Sequence, residues 1–248
     1  MPYVRSYYLK LSLLKINGYN IAMEKIILTW SGGKDSALSL YHLQRSGLFE
    51  ISSILTTITD RFDRVCMHGV RSTLLEEQAR SLGLHLQKIH LSSGSSIEEY
   101  DIRMRKALVA SKRSGISAVA FGDIFLEDLK RYREKRLSSL QIKGVFPLWG
   151  RDTAELAKDF IDLGFKAVIT CVDSKALDKR FVGRLFNKTL LSELPAGVDP
   201  CGENGEFHSF VYDGPIFKKN IDYISGETVC REGGFYFRDL ALSTSVKA

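Results

Sequence analysis

The stretch that decides the fold is the hexapeptide Ser31-Gly32-Gly33-Lys34-Asp35-Ser36. It follows a short apolar run at residues 26–30 and opens an apolar-periodic stretch at residues 37–43. A strand, a glycine turn and a helix in this order present backbone N–H groups to an anion, and the glycines allow close approach. The hexapeptide therefore predicts a phosphate-binding loop. Its serines would add hydroxyl donors, and Lys34 would add a positive charge on a solvent-exposed side chain.

Strands and helices alternate on both sides of this loop. Strands are predicted at residues 26–30, 51–57, 85–91 and 118–121, and helices at 35–46, 71–82, 96–114 and 126–140. This alternation predicts an α/β fold, a doubly wound parallel sheet. Ligands bind such sheets beyond the carboxyl ends of the strands, which is where the hexapeptide, Thr57 and Gly122-Asp123 fall.

The pattern loosens after residue 145. Helices are predicted at 153–163 and 183–194, and strands at 166–171, 207–212 and 235–240. We therefore predict a loop-bearing domain at residues 23–145 and a smaller α+β domain at 146–248 on the substrate side. Residues 1–22 are expected to be an extension outside the fold, with Met23 as the natural start.

Composition restricts the class of protein. The chain has 248 residues and a net charge of +6, with 44% apolar and 26% charged residues, which is typical of a soluble globular protein. It lacks the run of about 18 apolar residues that a membrane helix needs. Four cysteines stand at positions 66, 171, 201 and 230 with no close pair. Reduced thiols, a cytoplasmic location and no membrane association are expected.

Gly122 and Asp123 follow a predicted strand and precede a helix that carries several basic residues. Two interpretations remain open. Asp123 caps the helix and the basic residues form a solvated face, or Asp123 contacts Mg²⁺ or a ribose while Arg131 meets an anion.

A second dense cluster lies at residues 200–208, which read PCGENGEFH. Glu203 and Glu206 could bind Mg²⁺ or a cationic nucleophile, and His208 could move protons with a pKa near ~6.5 if unperturbed. The alternative is a turn with exposed charges. Cys201 has no visible activating partner, so a structural thiol is favoured over a nucleophile.

Two further features are weaker signals. His68 follows the second strand, where it could touch substrate or serve in capping or packing. Basic residues between 103 and 113 and between 130 and 136 could contact RNA, but helices that solvate one face look the same, so RNA binding is not favoured.

The hexapeptide differs from a Walker loop, which has four residues between its first glycine and Gly-Lys-Ser/Thr. It resembles the PP-loop of the ATP pyrophosphatases. That resemblance implies a loop that holds the β- and γ-phosphates as one pyrophosphate unit. It also implies attack at the α-phosphate, so that an acid substrate becomes an acyl-adenylate.

The resemblance becomes more specific along the chain. The hexapeptide, Gly122-Asp123-Ile124, the string PLWGRD at 147–152 and the loop at 202–207 occur in the order seen in the diphthine–ammonia ligase family. The match covers roughly residues 23–217. It implies an adenine nucleotide alpha-hydrolase-like domain followed by a smaller domain. It also implies ATP-dependent amidation of diphthine on elongation factor two with ammonium, releasing AMP and pyrophosphate.

One departure concerns the second-domain loop. The eponymous ligases usually show Glu-Gly-Gly-Glu-Phe/Tyr-Glu, whereas residues 203–208 here read ENGEFH. This string resembles a sister subgroup linked to cobalamin salvage, so the reaction class carries over better than the identity of the acceptor.

The sequence therefore predicts an ATP-dependent ligase that adenylates a carboxylate and amidates it with ammonium. Ser31 to Ser36, Thr57, Gly122 and Asp123 are assigned to ATP, with Asp123 also contacting Mg²⁺. The catalytic candidates are Lys34, Asp35, Glu203, Glu206 and His208, the last three on the acceptor or amine side. A tRNA-modifying PP-loop enzyme and a non-catalytic nucleotide-binding regulator remain as rivals.

Overall fold

A computed structural model describes residues 23–66, 68–92, 94–231 and 233–243. The predictions for residues 1–22 lie outside this range. The first part of the chain runs through β1 (Glu24–Thr29), α1 (Lys34–Ser46), β2 (Phe49–Thr59), β3 (Arg64–Val65), α2 (Ser72–Leu82), β4 (His85–Leu91), α3 (Ile97–Arg113), β5 (Ala118–Ala120), α4 (Glu127–Ser138) and β6 (Lys143–Val145).

The first sheet has a parallel core in the order β4-β2-β1-β5-β6, with the short β3 antiparallel to the end of β2. The chain first builds outward from β1 through β2 and β4, then returns to the other side of β1 through β5 and β6. The order therefore reverses between β1 and β5, and a crevice opens at the carboxyl ends of these two strands. The predicted doubly wound α/β fold is confirmed.

The second part contains α5 (Thr153–Asp162), β7 (Lys166–Asp173), a 3₁₀ turn (Lys179–Phe181), α6 (Lys188–Glu193), β8 (Phe207–Asp213), β9 (Tyr223–Arg231) and β10 (Phe235–Leu242). Its four strands form an antiparallel sheet in the order β8-β7-β10-β9. Within the described residues, no helix has both the length and the apolar character to span a membrane.

Local signals explain most helix ends. Gly47 and Gly83 adopt left-handed φ values of 61° and 69° directly after α1 and α2, a conformation that costs glycine little. The Ser96 side chain accepts a hydrogen bond of 3.2 Å from the Glu99 N–H at the start of α3. This is the cap that the spacing of the two residues predicts.

The predicted helix at residues 183–194 is wrong in its first half. Only Lys188–Glu193 is helical, with Asn187 as the N-cap. The preceding residues bond to β7 instead, through Gly183 N to Ile169 O at 2.8 Å and Phe186 N to Ala167 O at 2.8 Å. Pairing with a neighbouring strand satisfies this backbone and removes it from the helix.

One hydrophobic cluster joins the two sheets, since it includes Ile26 and Leu28 of β1 together with Val168 of β7 and Phe210 of β8. A second cluster lies between the first sheet and helices α3 and α4. Apolar packing is continuous across both sheets, so the core does not mark where one domain ends and the next begins. The domain boundary near residue 145 stays a prediction.

Candidate functional site

The glycine loop lies at the point where the strand order reverses. Gly32 has a φ of 79°, and a Cβ built there would lie 2.8 Å from Gln78 Oε1. Both the left-handed backbone and the close contact require glycine at this position. Gly33 is also crowded, because its Cβ would lie 3.1 Å from the carbonyl oxygen of Ser209.

Gln78 of α2 fixes the loop, and no sequence motif pointed to it. The buried amide accepts from Trp30 Nε1 at 2.8 Å and donates to Gly32 O at 3.0 Å and Val211 O at 2.6 Å. The Val211 N–H also donates to Gly32 O at 2.9 Å. Helix α2 and the edge strand β8 therefore hold the loop in one conformation.

The loop leads into the N-terminus of α1, where the first N–H groups have no acceptor within the helix. Lys34 N donates to Ser209 Oγ at 3.2 Å, and Gly33 N donates to Ser31 Oγ at 3.2 Å. Ser36 Oγ donates to Gly33 O at 2.8 Å. Backbone donors, hydroxyls and the positive end of the helix dipole converge here, as an anion site requires.

Lys34 is buried, with 4% of its surface exposed, so the prediction of a solvent-exposed side chain is wrong. Its ammonium donates to both Asp35 oxygens at 2.9 and 2.8 Å and contacts the carbonyl oxygen of Cys201. It also lies 5.5 Å from the centre of the Phe207 ring. Burial alone lowers the pKa of Lys34, but Asp35, together with Cys201 and Glu203, more than offsets this and raises the pKa above its ordinary value.

Gly122 and Asp123 stand across the crevice from the loop. A Cβ on Gly122 would lie 3.2 Å from the carbonyl carbon of Asp35, so glycine lets the two loops approach. Asp123 pairs with Arg133 of α4, with 2.7 Å between Oδ2 and Nε. Arg131 points away from the crevice, its side chain 71% exposed and paired with Asp128. The predicted anion contact at Arg131 is therefore wrong, and Arg133 is the arginine at the site.

In this structure a guanidinium occupies the Asp123 carboxylate, at the position where a metal contact was predicted. Among the described residues, no group of three or more His, Cys, Asp or Glu side chains could hold a metal ion. The metal role of Asp123 stays a prediction. Burial raises the pKa of its carboxyl, and Arg133 opposes that rise.

The crevice is a cavity of about 460 Å³. The predicted residues that line it are Ser31, Gly33, Lys34, Asp35, Ser36, Thr57, Gly122, Asp123, Glu203 and His208. His68, Tyr100 and Arg133 also line it. The structure thus brings the hexapeptide, the end of β5 and the second-domain loop to one cavity, as predicted for the carboxyl ends of the strands.

Glu203 reaches across from the second-domain loop. Its carboxylate accepts a 2.7 Å hydrogen bond from the Ile124 N–H, directly after Asp123. Burial raises its pKa to about 7, partly opposed by that hydrogen bond. Glu203 therefore titrates close to neutral pH while facing the cavity, which suits a group that exchanges protons.

Glu206 has a different position from the one predicted. It is 6% exposed and accepts from Asp199 N, Asn204 N and Asn204 Nδ2, each at 3.0 Å. All of these contacts lie within its own loop. The expectation of direct contact with acceptor or amine is corrected to a role in holding the loop that carries Glu203.

His208 faces the cavity beside His68, with 4.3 Å between the ring centres. Burial, with a smaller contribution from Lys34, lowers the pKa of His208 to about 4. This imidazole is therefore perturbed from the value near ~6.5 that it would have if unperturbed. At neutral pH the imidazole is uncharged and keeps a free acceptor nitrogen.

Cys201 is buried against α5, where its Sγ contacts the Thr153 carbonyl at 3.3 Å. Burial raises the pKa of this thiol, which disfavours the thiolate needed for nucleophilic attack. This agrees with the structural role favoured by the sequence. Its carbonyl, rather than its sulfur, meets Lys34.

The fold and the site together define a PP-loop enzyme, with a glycine turn at the switch point of a parallel sheet and a second sheet closing over it. The diphthamide synthase N-terminal domain model matches residues 23–143, and the diphthamide synthase C-terminal domain model matches residues 152–239.

Curated relatives agree. A diphthine–ammonia ligase from Danio rerio is 28% identical over 223 residues, covering 80% of this chain and 86% of the relative. One from Schizosaccharomyces pombe is 24% identical and covers 85% of this chain but 38% of the relative. One from Mus musculus is 32% identical over 130 residues, 49% of this chain and 47% of the relative. The chain therefore spans less than half the length of the latter two relatives.

Among solved structures, the U34-tRNA thiolase NcsA from Methanococcus maripaludis is 19% identical and covers 63% of this chain and 64% of its own. The TM-score of 0.38 is too low to support an argument, so the fold class rests on the sheet order.

The chain belongs to the diphthine–ammonia ligase family. The expected family and the expected enzyme class, an ATP-dependent amide-forming ligase, are confirmed at the level of the family.

Proposed function

We propose that this chain adenylates a carboxylate with ATP and then transfers the acyl group to ammonia, releasing pyrophosphate and AMP. The observation that carries the proposal is the contact between the PP-loop and the second-domain loop. Lys34 of the PP-loop touches the carbonyl of Cys201, and both loops line the same cavity of about 460 Å³. The groups that would bind phosphate and the groups that would transfer protons thus line the same cavity.

The PP-loop would hold the pyrophosphate part of ATP. Its N–H groups and hydroxyls satisfy phosphate oxygens, and Lys34 supplies a positive charge in a buried setting where a charged hydrogen bond is strong. Asp35 balances that charge when no phosphate is bound. Mg²⁺ would arrive with the ATP phosphates, since magnesium commonly keeps several waters and few protein ligands.

The acceptor side would lie toward the loop at residues 199–208. Glu203, with its pKa about 7, and the neutral His208 are the proton-handling groups that face the cavity. Glu206 fixes their loop from behind. We propose a diphthine-bearing protein as the acceptor because the matched relatives are named diphthine–ammonia ligases. The ENGEFH string leaves a smaller carboxylate metabolite as the competing acceptor.

The test is product analysis. Purified protein is incubated with ATP, ammonium and either a diphthine-bearing elongation factor or an extract of carboxylate metabolites, and nucleotide products are separated by chromatography. We expect AMP and pyrophosphate in equal amounts, formed over repeated turnovers only when acceptor and ammonium are both present. Stoichiometric ADP would refute the mechanism. AMP release with the metabolite extract but not with the elongation factor would show that the acceptor is a metabolite and not a protein.

A further inference from the structure

Two imidazoles from different sheets meet at the edge of the cavity. His68 lies between β3 and α2, and His208 lies in β8, with ring centres 4.3 Å apart and ring planes inclined by 37°. The His68 ring also packs against the PP-loop, since a Cβ on Gly33 would lie 3.3 Å from His68 Cε1. The pair therefore stands directly beside the proposed phosphate site.

The hydrogen bonds of His68 define which nitrogen is free. The ring bonds to the backbone of Ser209. Among the described residues, its buried Nδ1 has no hydrogen-bond partner. An Nε2–H donor toward Ser209 is the tautomer consistent with an unpartnered Nδ1, whose lone pair is then free. A ring nitrogen fixed in this way acts as an acceptor.

Both rings are uncharged at neutral pH. Burial, the neighbouring His208 and the Lys34 ammonium lower the pKa of His68 well below its ordinary value. The charged group that faces both rings is Lys34, from α1. The Lys34 ammonium repels a second cation from this position. Neutral imidazole nitrogens beside it therefore favour a small, uncharged molecule that donates a hydrogen bond.

We propose that His68 and His208 together bind the amine nucleophile, with His68 Nδ1 accepting a hydrogen bond from ammonia. This assignment rests on the proposed function, because it supplies the amine side of that reaction. It makes His68 a catalytic residue contributed by the first sheet, in addition to the second-domain loop.

The ammonia lone pair forms a C–N bond to the acyl carbon of the acyl-adenylate, and the bond from that carbon to the phosphate oxygen breaks, so that AMP leaves with the electron pair. The new nitrogen carries a positive charge and gives one proton to His68 Nδ1, which passes it to water. Nitrogen in this adduct is more acidic than free ammonium, so a weak base suffices.

A direct test needs no acceptor. ¹⁵N-histidine spectra of the full chain at pH 8 are recorded with ATP during titration with ammonium chloride and, separately, potassium chloride. We expect the Nε2–H tautomer of His68 and a shift of its Nδ1 resonance with ammonium but not with potassium. A proton on Nδ1, or equal shifts with both salts, would overturn the proposal.

The matched variants are His68→Gln and His90→Gln. Glutamine can keep the donor toward Ser209 while it replaces the imidazole Nδ1 with an amide oxygen, which cannot take up a proton near neutral pH. His90 is exposed and pairs with Asp60 outside the cavity, so it serves as the control. Because the two rings share the amine, we expect ammonium to shift the His208 signal as well. His68→Gln should abolish this His208 shift, and His90→Gln should keep it.

The kinetic arm separates the amine site from the reaction itself. With a working acceptor, His68→Gln should raise the KM for ammonium about tenfold, as expected for one lost hydrogen bond, and leave the KM for ATP unchanged. An equal rise in both KM values would indicate a structural role and contradict the proposal. If ammonium shifts His68 but no amide forms with any acceptor, the proposed reaction fails while the amine site stands.

Discussion

At the scale of single residues, one ammonium group joins the two halves of the site. Lys34 Nζ bonds to its neighbour Asp35 and touches the Cys201 carbonyl of the second-domain loop. Its burial means that the side chain contributes to stability, in addition to the phosphate binding proposed for it. The sequence predicted only the second role, because a lysine in a glycine turn gives no sign of what folds over it.

Replacing Lys34 therefore tests both roles. Lys34→Ala should weaken ATP binding about ten- to a hundredfold, since a charged hydrogen bond contributes about 1.5–3 kcal/mol. It should also lower the free energy of unfolding by about 1–3 kcal/mol, because Asp35 is left without its partner. Calorimetry with ATP and urea denaturation measure the two effects. A folded variant with normal ATP turnover would remove this lysine from the mechanism.

Glu206 and His208 are close in sequence but should behave differently. Glu206→Gln replaces one of the two buried oxygens that accept three hydrogen bonds with an NH₂ donor, so it should lower stability by about 1–3 kcal/mol and product formation with it. His208→Ala should abolish product formation because it removes the ring nitrogen that accepts hydrogen bonds in the cavity. Both should leave ATP affinity nearly unchanged. Thermal denaturation, ATP calorimetry and AMP release separate them, and full turnover in both would make the loop structural.

Site residues could be predicted where a sequence motif contained them, but not where side-chain packing alone brings them to the site. The hexapeptide and Glu203 were found from composition and order. Gln78 was missed because it is one polar residue on an amphipathic helix with no motif around it. Arg131 was chosen over Arg133 because the rotation of α4 about its axis is set by packing, and residues two apart on a helix face different directions.

At the scale of elements, the loop that carries His68 is clamped to β10. Arg64 and Arg71 both bind the Asp239 carboxylate, each with a closest distance of 2.7 Å. Arg64 also donates to Gly69 O at 2.7 Å. These arginines lower the pKa of Asp239 to about 2. The second sheet therefore positions an imidazole that belongs to the first.

Breaking this clamp should loosen the site without touching the PP-loop. Asp239→Asn should lower the free energy of unfolding by about 1–3 kcal/mol, because Arg64 is largely buried and loses its carboxylate. Arg71→Gln should cost less, since that side chain is 44% exposed. Denaturation midpoints in urea give the comparison. Equal midpoints for Asp239→Asn and wild type would show that the clamp does not hold the loop.

The first sheet was predictable because alternating strands and helices leave a strong periodic pattern. The second was less so, because its order depends on contacts between distant segments. Residues 183–186 have helical composition but pair with β7. Strand β9 was not predicted, since it is an edge strand whose side chains are mostly exposed and show no apolar alternation.

At the scale of the whole molecule, the cavity exists only because two sheets share a core. The PP-loop would be held by α2 alone without β8, which supplies the contacts of Val211 and Ser209. Sequence patterns reveal each sheet separately, but the shared core depends on side-chain packing that has no local signal. This is why the cavity could be located at the strand ends while its far wall could not be described.

The shared cavity also makes the stability of the whole molecule depend on pH in two opposite ways. Burial raises the pKa of Glu203 from its ordinary 4.5 to about 7, so the folded protein binds more protons than the unfolded one in between. That contribution is present below pH 4.5 and is lost as pH rises toward 7. Burial lowers the pKa of His208 from 6.5 to about 4, so its stability contribution is lost as pH falls through that range.

Variants should separate the two contributions. Between pH 5 and 7, Glu203→Gln should make Tm rise more steeply with pH than in wild type, because the stability contribution of Glu203, which falls as pH rises, is gone. His208→Gln should make Tm rise less or fall, because the stability contribution of His208, which increases as pH rises, is gone. His90→Gln, outside the cavity, should follow wild type. Thermal denaturation at fixed ionic strength provides the curves. Parallel curves for all four proteins would show that neither group is perturbed by burial, and the cavity would then be open to water.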